Sequence, residues 1–246
     1  MKPKEKNIQA FNSDVAQKGG YAYTSPERCS SRLANARTTQ AIHEFAAGCG
    51  RRIIDIGCGD GTYTAEFQAL DPLEVLGLDA AENAVQCCRQ RMDCDSRFHF
   101  ETRSVYDLSP YYGRFDIAIV RGVLHHLREP IKAVAEIIKT APTLIIAEPN
   151  GFNPIVKLLE RFSPYHIRHE EQSFFPFVLD RWFAAVGAPV DKALFINTVP
   201  FFCPDAFARF CKSFEPLAER LPIVRHLGCG QYVFRARRSE TGAKRS

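Results

Sequence analysis

Beyond residue 50 the chain alternates short apolar runs with segments whose apolar residues recur every three or four positions. Residues 51–56 (RRIIDI), 74–78 (EVLGL), 98–105, 115–120 (FDIAIV) and 143–147 (TLIIA) read as strands. Their apolar character is nearly continuous, as in strands covered on both faces. Helices are predicted over 62–70 and over 81–92, where Ala81, Ala84, Val85, Cys88 and Met92 share one face. A further helix starts at Pro130 and carries Ile131, Val134, Ile137 and Ile138 on one face. Strands separated by helices of this length imply right-handed crossovers and a mostly parallel sheet.

The rhythm breaks after Pro149. Residues 150–177 contain Pro154, Pro164 and Pro176 among several phenylalanines and read as a lid-like insertion above the sheet. A helix over 179–186 follows, then two more strands over 193–199 and 231–235, with a proline- and phenylalanine-rich excursion between them. Ahead of the first strand, 30–50 reads as one or two helices stopped by Gly48 and Gly50. The first twenty residues are polar and are expected to be loose. The expected organisation is an N-terminal helical cap (1–50), a main domain (51–238) of doubly wound α/β type with seven strands, and a basic tail (239–246).

Composition narrows the function classes. The 246 residues are 46% hydrophobic and 24% charged, an ordinary globular balance. The net charge of +4 equals that of the tail, where Arg235, Arg237, Arg238, Lys244 and Arg245 stand against Glu240, five minus one. The body is therefore near neutral, which argues against a nucleic-acid partner. Nine cysteines include no C-x-x-C pair, so neither a zinc site nor a disulfide framework is expected. The start lacks the apolar core of a signal peptide and no run approaches a membrane span of ~18 apolar residues. A reducing cytoplasm is the expected compartment.

The strongest local signal is IIDIGCGDG at 53–61, between a strand and a helix. Glycines at 57, 59 and 61 allow a sharp turn and a close ligand approach. Asp79 closes the second strand, where doubly wound sheets place a carboxylate for ribose hydroxyls. The lesser alternative is a cap for the following helix. Glycine loop and acid together point to an adenosine-containing ligand. A dinucleotide fingerprint wants a third glycine where Thr62 stands. Asp55, a buried carboxylate just ahead of the loop, suits a cationic ligand better than a pyrophosphate.

In these residues the chain resembles the class I S-adenosylmethionine-dependent methyltransferases, a Rossmann-like family, particularly those acting on small molecules and lipid precursors. The resemblance spans about 51–147 and lies in IIDIGCGDGTYT, LGLDAA, SVYDL, FDIAIVRGVLHHL and LIIAEPN. It implies S-adenosylmethionine as cofactor, with Asp55, Gly57, Cys58 and Gly59 around the methionine part. Asp79 would bind the ribose, Ala80 would lie beside the adenine, and Tyr106 and Asp107 would flank and meet the adenine. Arg121 would line the same pocket. The family's L-x-P-G-G turn is absent, IIKTAPT standing in its place.

Methyl transfer is an in-line displacement that gains from positioning, with a base needed only when the acceptor loses a proton. His125 and His126, following the fourth strand, are the candidates for that base, the alternative being a structural role. Within 165–175 (YHIRHEEQSFF), His166, His169 and Glu170 could contact an acceptor; no metal is expected there for want of a second cluster. Tyr21 and Tyr23 could close the opposite side. The expected function is methyl transfer to an oxygen, nitrogen or carbon of a small, partly apolar molecule. The alternatives are a nucleic-acid or protein methyltransferase and a non-catalytic cofactor-binding module.

Overall fold

The structure is a computed structural model describing residues 5–18, 20, 21, 23, 24, 27–201 and 203–239. Seven strands form one sheet: β1 (Arg52–Ile56), β2 (Glu74–Asp79), β3 (Phe98–Thr102), β4 (Ile117–Arg121), β5 (Thr143–Pro149), β6 (Val190–Ile196) and β7 (Gln231–Arg237), in the order β3-β2-β1-β4-β5-β7-β6. The first five pair in parallel, and β7 runs antiparallel between β5 and β6. The doubly wound, mostly parallel sheet read from the sequence is the one present. Because β1 continues to β2 on one side while β4 lies on the other, a crevice opens beyond their carboxyl ends, the place where such sheets bind ligands.

The helices are α1 (Glu5–Lys18), α2 (Cys29–Ala46), α3 (Glu82–Arg91), α4 (Pro130–Thr140), α5 (Pro154–Phe162), α6 (Pro164–Arg168), α7 (Pro176–Ala185), α8 (Asp205–Ala218) and α9 (Pro222–Gly228). Each central strand feeds two cores. Ile54 and Ile56 of β1 point into a layer completed by Val134 and Ile137 of α4 and by Leu179 and Phe183 of α7. Ile53 points the other way, against Ile42 and Phe45 of α2 and Val85 and Cys88 of α3. The alternation follows from the pleat, and burial on both faces is why the strands read as continuous apolar runs.

Four expectations change. Residues 5–18 are helical rather than loose: α1 buries Val15, and Asn12 accepts the backbone N–H of Asn83 at the start of α3, while residues 1–4 and 19 lie outside the described residues. The helix after the glycine loop begins at Thr64 rather than at residue 62 and is of 3-10 type, Thr64–Leu70. The excursion before β7 forms α8 and α9, which its prolines and phenylalanines had concealed. The insertion 150–177 contains α5 and α6 and returns to the sheet edge through a bridge between Asn150 and Phe174. Of the basic tail, 240–246 lie outside the described residues.

Candidate active site

A cavity of about 530 Å³ occupies the crevice, walled by Gly57 and Gly59 after β1, Asp79 and Ala80 after β2, Ser104 and Tyr106 after β3, and Arg121 and Val123 after β4. The glycine loop is tight for a stated reason. Gly57 has φ 83° and Gly59 φ 57°, backbone that side chains with a Cβ avoid. A Cβ on Gly57 would stand 2.2 Å from Val123 Cγ2, and one on Gly59 2.7 Å from the Tyr21 ring.

Asp79 joins the loop to the second strand. Its carboxylate accepts the Gly59 N–H at 3.0 Å and the Ala81 N–H at 2.8 Å while still facing the cavity. The capping alternative is not the one realised, since α3 begins after Ala81 without a side-chain cap. Burial pushes the Asp79 carboxyl up from its ordinary range, opposed by those backbone donors. Asp55 sits beneath the loop rather than on the cavity wall: Thr64 Oγ1 donates to it at 2.6 Å. Burial raises the Asp55 pKa to about 6. Cys58 also faces inward, its Sγ 3.9 Å from that of Cys88. All nine cysteines are free thiols.

Arg121 reaches the cavity but is heavily engaged. Its guanidinium lies 3.6 Å above the centre of the Tyr63 ring and donates to Thr39 Oγ1 and to both oxygens of Asn35 on α2. It thereby fastens the helical cap to the loop edge of the sheet. Asp107 is displaced from its expected place at the adenine: it is exposed, paired with Arg103 at 2.7 Å, and off the cavity wall.

The two histidines lie side by side, ring centres 3.9 Å apart, but face different surroundings. His126 lines the cavity, and its Nδ1 faces the His169 carbonyl at 3.3 Å. His125 points away and is buried against Glu148, Nδ1 to Oε2 2.7 Å. The Glu148 carboxylate also accepts the backbone N–H groups of Val123, Leu124 and His125, so it organises the turn that presents His126. Burial alone would lower the His125 pKa, but the Glu148 carboxylate outweighs it and holds the pKa above the ordinary value. This buried pair is the arrangement that the structural alternative for His125 requires.

Of the four residues expected to touch an acceptor, only Tyr21 lines the cavity. His166 pairs with Glu171 at 3.4 Å, and His169 is buried against the Phe11 ring, behind His126. Glu170 takes the left-handed turn after α6, φ 51°, and is likewise off the wall. The far wall of the cavity is instead made by Ile8 and Phe11 of α1, with Tyr21 and Tyr23. Asp60 holds these tyrosines over the loop: one carboxylate oxygen accepts the Tyr21 N–H at 3.0 Å and the Thr24 hydroxyl at 2.8 Å, and the other accepts Thr62 N–H. Sequence reasoning missed Asp60, Glu148 and Phe11. The one available signal was an acid inside the glycine loop, at a place where a pyrophosphate ligand would exclude it.

His125, His126 and Glu171 offer ligand atoms within 4.8 Å of one another, an arrangement that could hold a metal ion.

Comparison with known proteins agrees with this geometry. Residues 53–141 match the family model described as a methyltransferase domain. The tRNA U34 carboxymethyltransferase of Citrifermentans bemidjiense is 27% identical over 133 residues, covering 53% of this chain and 41% of that protein. The chain thus spans about half or less of the length of the curated relatives it matches. Among solved structures, magnesium protoporphyrin IX methyltransferase from Synechocystis PCC 6803 with bound SAM superposes with a TM-score of 0.62 at 14% identity, covering 95% of this chain and 97% of that one. The cyclase SpnF superposes with a TM-score of 0.65 at 17% identity, over 95% and 93% of the two chains, so the same fold also carries another chemistry. Residues 53–141 therefore form a methyltransferase domain, set on this seven-stranded sheet.

Proposed function

We propose that the chain binds S-adenosylmethionine in the crevice and methylates a small, partly apolar acceptor admitted beside Phe11, Tyr21 and His126. The observation that carries this reading is the Asp79 carboxylate, held by two backbone N–H groups at the cavity wall next to glycines that leave room for a ligand. The pocket suits the cofactor in its chemistry: a carboxylate for ribose hydroxyls, Ala80 and Tyr106 for the adenine, and no phosphate-binding third glycine. When bound, the cofactor supplies an electrophilic methyl group on a cationic sulfur.

The remaining work falls to the protein. Tyr21 and Tyr23, stacked with ring centres 5.4 Å apart, cover the glycine loop and exclude water. Burial holds the Tyr21 hydroxyl in its neutral form. Since a carbonyl only accepts, His126 carries its proton on Nδ1 toward His169, and Nε2 becomes the atom able to take a proton from an oxygen or nitrogen acceptor. In this reading 150–177 acts as a wall behind His126. Nine free thiols agree with a reducing cytoplasm, and no helix among the described residues is long and apolar enough to cross a membrane.

Calorimetry with S-adenosylmethionine, S-adenosylhomocysteine and NAD tests the cofactor; tighter binding of NAD would overturn the reading. Incubation with cofactor and a metabolite extract, followed by a search for masses increased by one methyl, identifies the acceptor. The tRNA enzymes among the relatives favour a second reading, transfer to RNA. Methyl or carboxymethyl incorporation into bulk tRNA, without any product in the metabolite extract, would select it.

A further inference from the structure

Helix α5 is amphipathic the wrong way round for a folded core. Ile155, Leu158, Leu159 and Phe162 fall at i, i+3, i+4 and i+7, the stripe that normally faces inward, and all four are exposed, Phe162 at 65%. Helix α8 repeats the inversion with Phe207, Phe210, Phe214 and Leu217, burying only Ala208 and Glu215. In α9, Ile223, Val224 and Leu227 point out, Ile223 at 76%. The three helices adjoin: Asn153, which caps α5, and Asn150 bond carbonyls at the end of α9, and Phe152 packs on His226. Exposed apolar rows on neighbouring helices of a folded chain mark an interaction face.

The charges on this face are sorted by sign. Its acids turn inward: Glu215 is buried and pairs with Lys212, Glu219 makes a two-pronged bond with Arg37, and Glu160 binds Lys157 and the Ser173 N–H. Arg161, Arg209 and Arg220 are exposed and have no ion pair among the described residues. The one exposed acid, Asp205, sits in the first turn of α8, where the helix dipole favours it.

We propose that α5, α8 and α9 dock this face on an anionic lipid bilayer, lying in the interface with the apolar rows among the acyl chains and the guanidinium groups at the headgroups. Helices that pair Phe and Leu rows with Lys and Arg partition in this way. Self-association fits less well, because a two-fold axis sets the same patch against itself and offers three exposed arginines only Asp205 to meet. The inference stands apart from the methyl-transfer reading, since membrane attachment is measured by binding alone.

The test is flotation of the purified full chain with vesicles of phosphatidylcholine and of phosphatidylcholine with phosphatidylglycerol. The chain should float with the anionic vesicles, less with the neutral ones, and less again at high salt. The exposed double substitution Phe210→Glu with Ile223→Glu should lower partitioning by roughly tenfold or more, with unchanged circular dichroism and melting temperature. The conservative pair Phe210→Leu with Ile223→Leu should retain it. Absence of flotation with anionic vesicles would overturn the proposal. So would flotation that the Glu pair leaves intact. A dimer by light scattering that the Glu pair splits, with no vesicle binding by either form, would assign the face to a second copy instead.

Discussion

Residues 51–149 and residues 150–230 use the same apolar pattern in opposite senses. In the first, α3 and α4 turn Ala84, Val85, Val134 and Ile137 inward, and only Leu73, Tyr112 and Ile131 are exposed among the large apolar residues described there. In the second, α5, α8 and α9 turn theirs outward. Connectivity explains the difference. A crossover helix is tied at both ends to parallel strands and must lie on the sheet. The sheet's two faces are already taken by α2 and α3 on one side and α4 and α7 on the other. Helices in the later loops find no free core to join. Periodicity therefore reports that a helix has two faces, and chain connection decides which face is covered.

The sharpest way to break this contrast is to remove volume from the buried side. Ile54 of β1 is fully buried between β2, β4 and the α4 layer. Ile54→Ala should cost about 2–5 kcal/mol of stability in chemical denaturation, the transfer loss plus the cavity left behind. A loss below about 1 kcal/mol would mean that the core repacks freely and that the two regions differ less than their burial implies.

The pocket edge is the next largest effect. Asp79→Asn keeps the shape of the side chain while weakening its capacity to accept from ribose and backbone together. S-adenosylhomocysteine affinity should fall by about 1.5–3 kcal/mol, a Kd increase of roughly 10- to 150-fold. The loss must appear in calorimetry without a comparable loss of melting temperature. If both fall together, Asp79 is holding the loop and not the ligand.

Glu148 gives a pH-dependent prediction. With the folded-state pKa of His125 above its unfolded value of about 6.5, the pair's contribution is complete below that pH and is lost as pH rises through the folded pKa. Asp55, raised from 3.8 to about 6, loses its contribution at lower pH, as pH rises through about 6. Asp79 and Asp180 are raised as well, so the share of the decline that belongs to His125 is the share that Glu148→Gln removes. Glu148→Gln should cost about 1–3 kcal/mol at pH 6 and flatten the stability profile above it. An unchanged profile in this variant would show that the pair does not titrate.

Much of the first region was legible because its signals are local. Glycines with positive φ, a carboxylate at a strand end and strands buried on both sides each leave a mark within a few residues. What failed was tertiary. Asp107 was assigned to the adenine by its place in a motif, but Arg103, four residues earlier, claims it at 2.7 Å. His166 and His169 were assigned by residue type, yet His166 pairs with Glu171 and His169 packs behind His126, and Phe11 from a segment expected to be loose supplies the wall. The direction of α5 and α8 was equally invisible, because an amphipathic stripe looks the same from either side.

The smallest expected effect lies at the opposite pole from Ile54. Phe210 stands on the outer row of α8, more than half exposed, with Phe207 and Phe214 as its ring neighbours. Truncation to alanine opens no cavity there, because one side of the ring meets water. The packing of its ring on Phe214 disappears, but the better helix propensity of alanine, worth up to about 0.7 kcal/mol, offsets this. Phe210→Ala should therefore change stability by no more than about 0.5 kcal/mol, in the range of ordinary surface substitutions. The measurement is chemical denaturation at two protein concentrations in the absence of lipid. A loss above about 2 kcal/mol would mean that the ring is covered in solution. If that loss grew with protein concentration the cover would be a second copy, and the outward face of residues 150–230 would be a buried one after all.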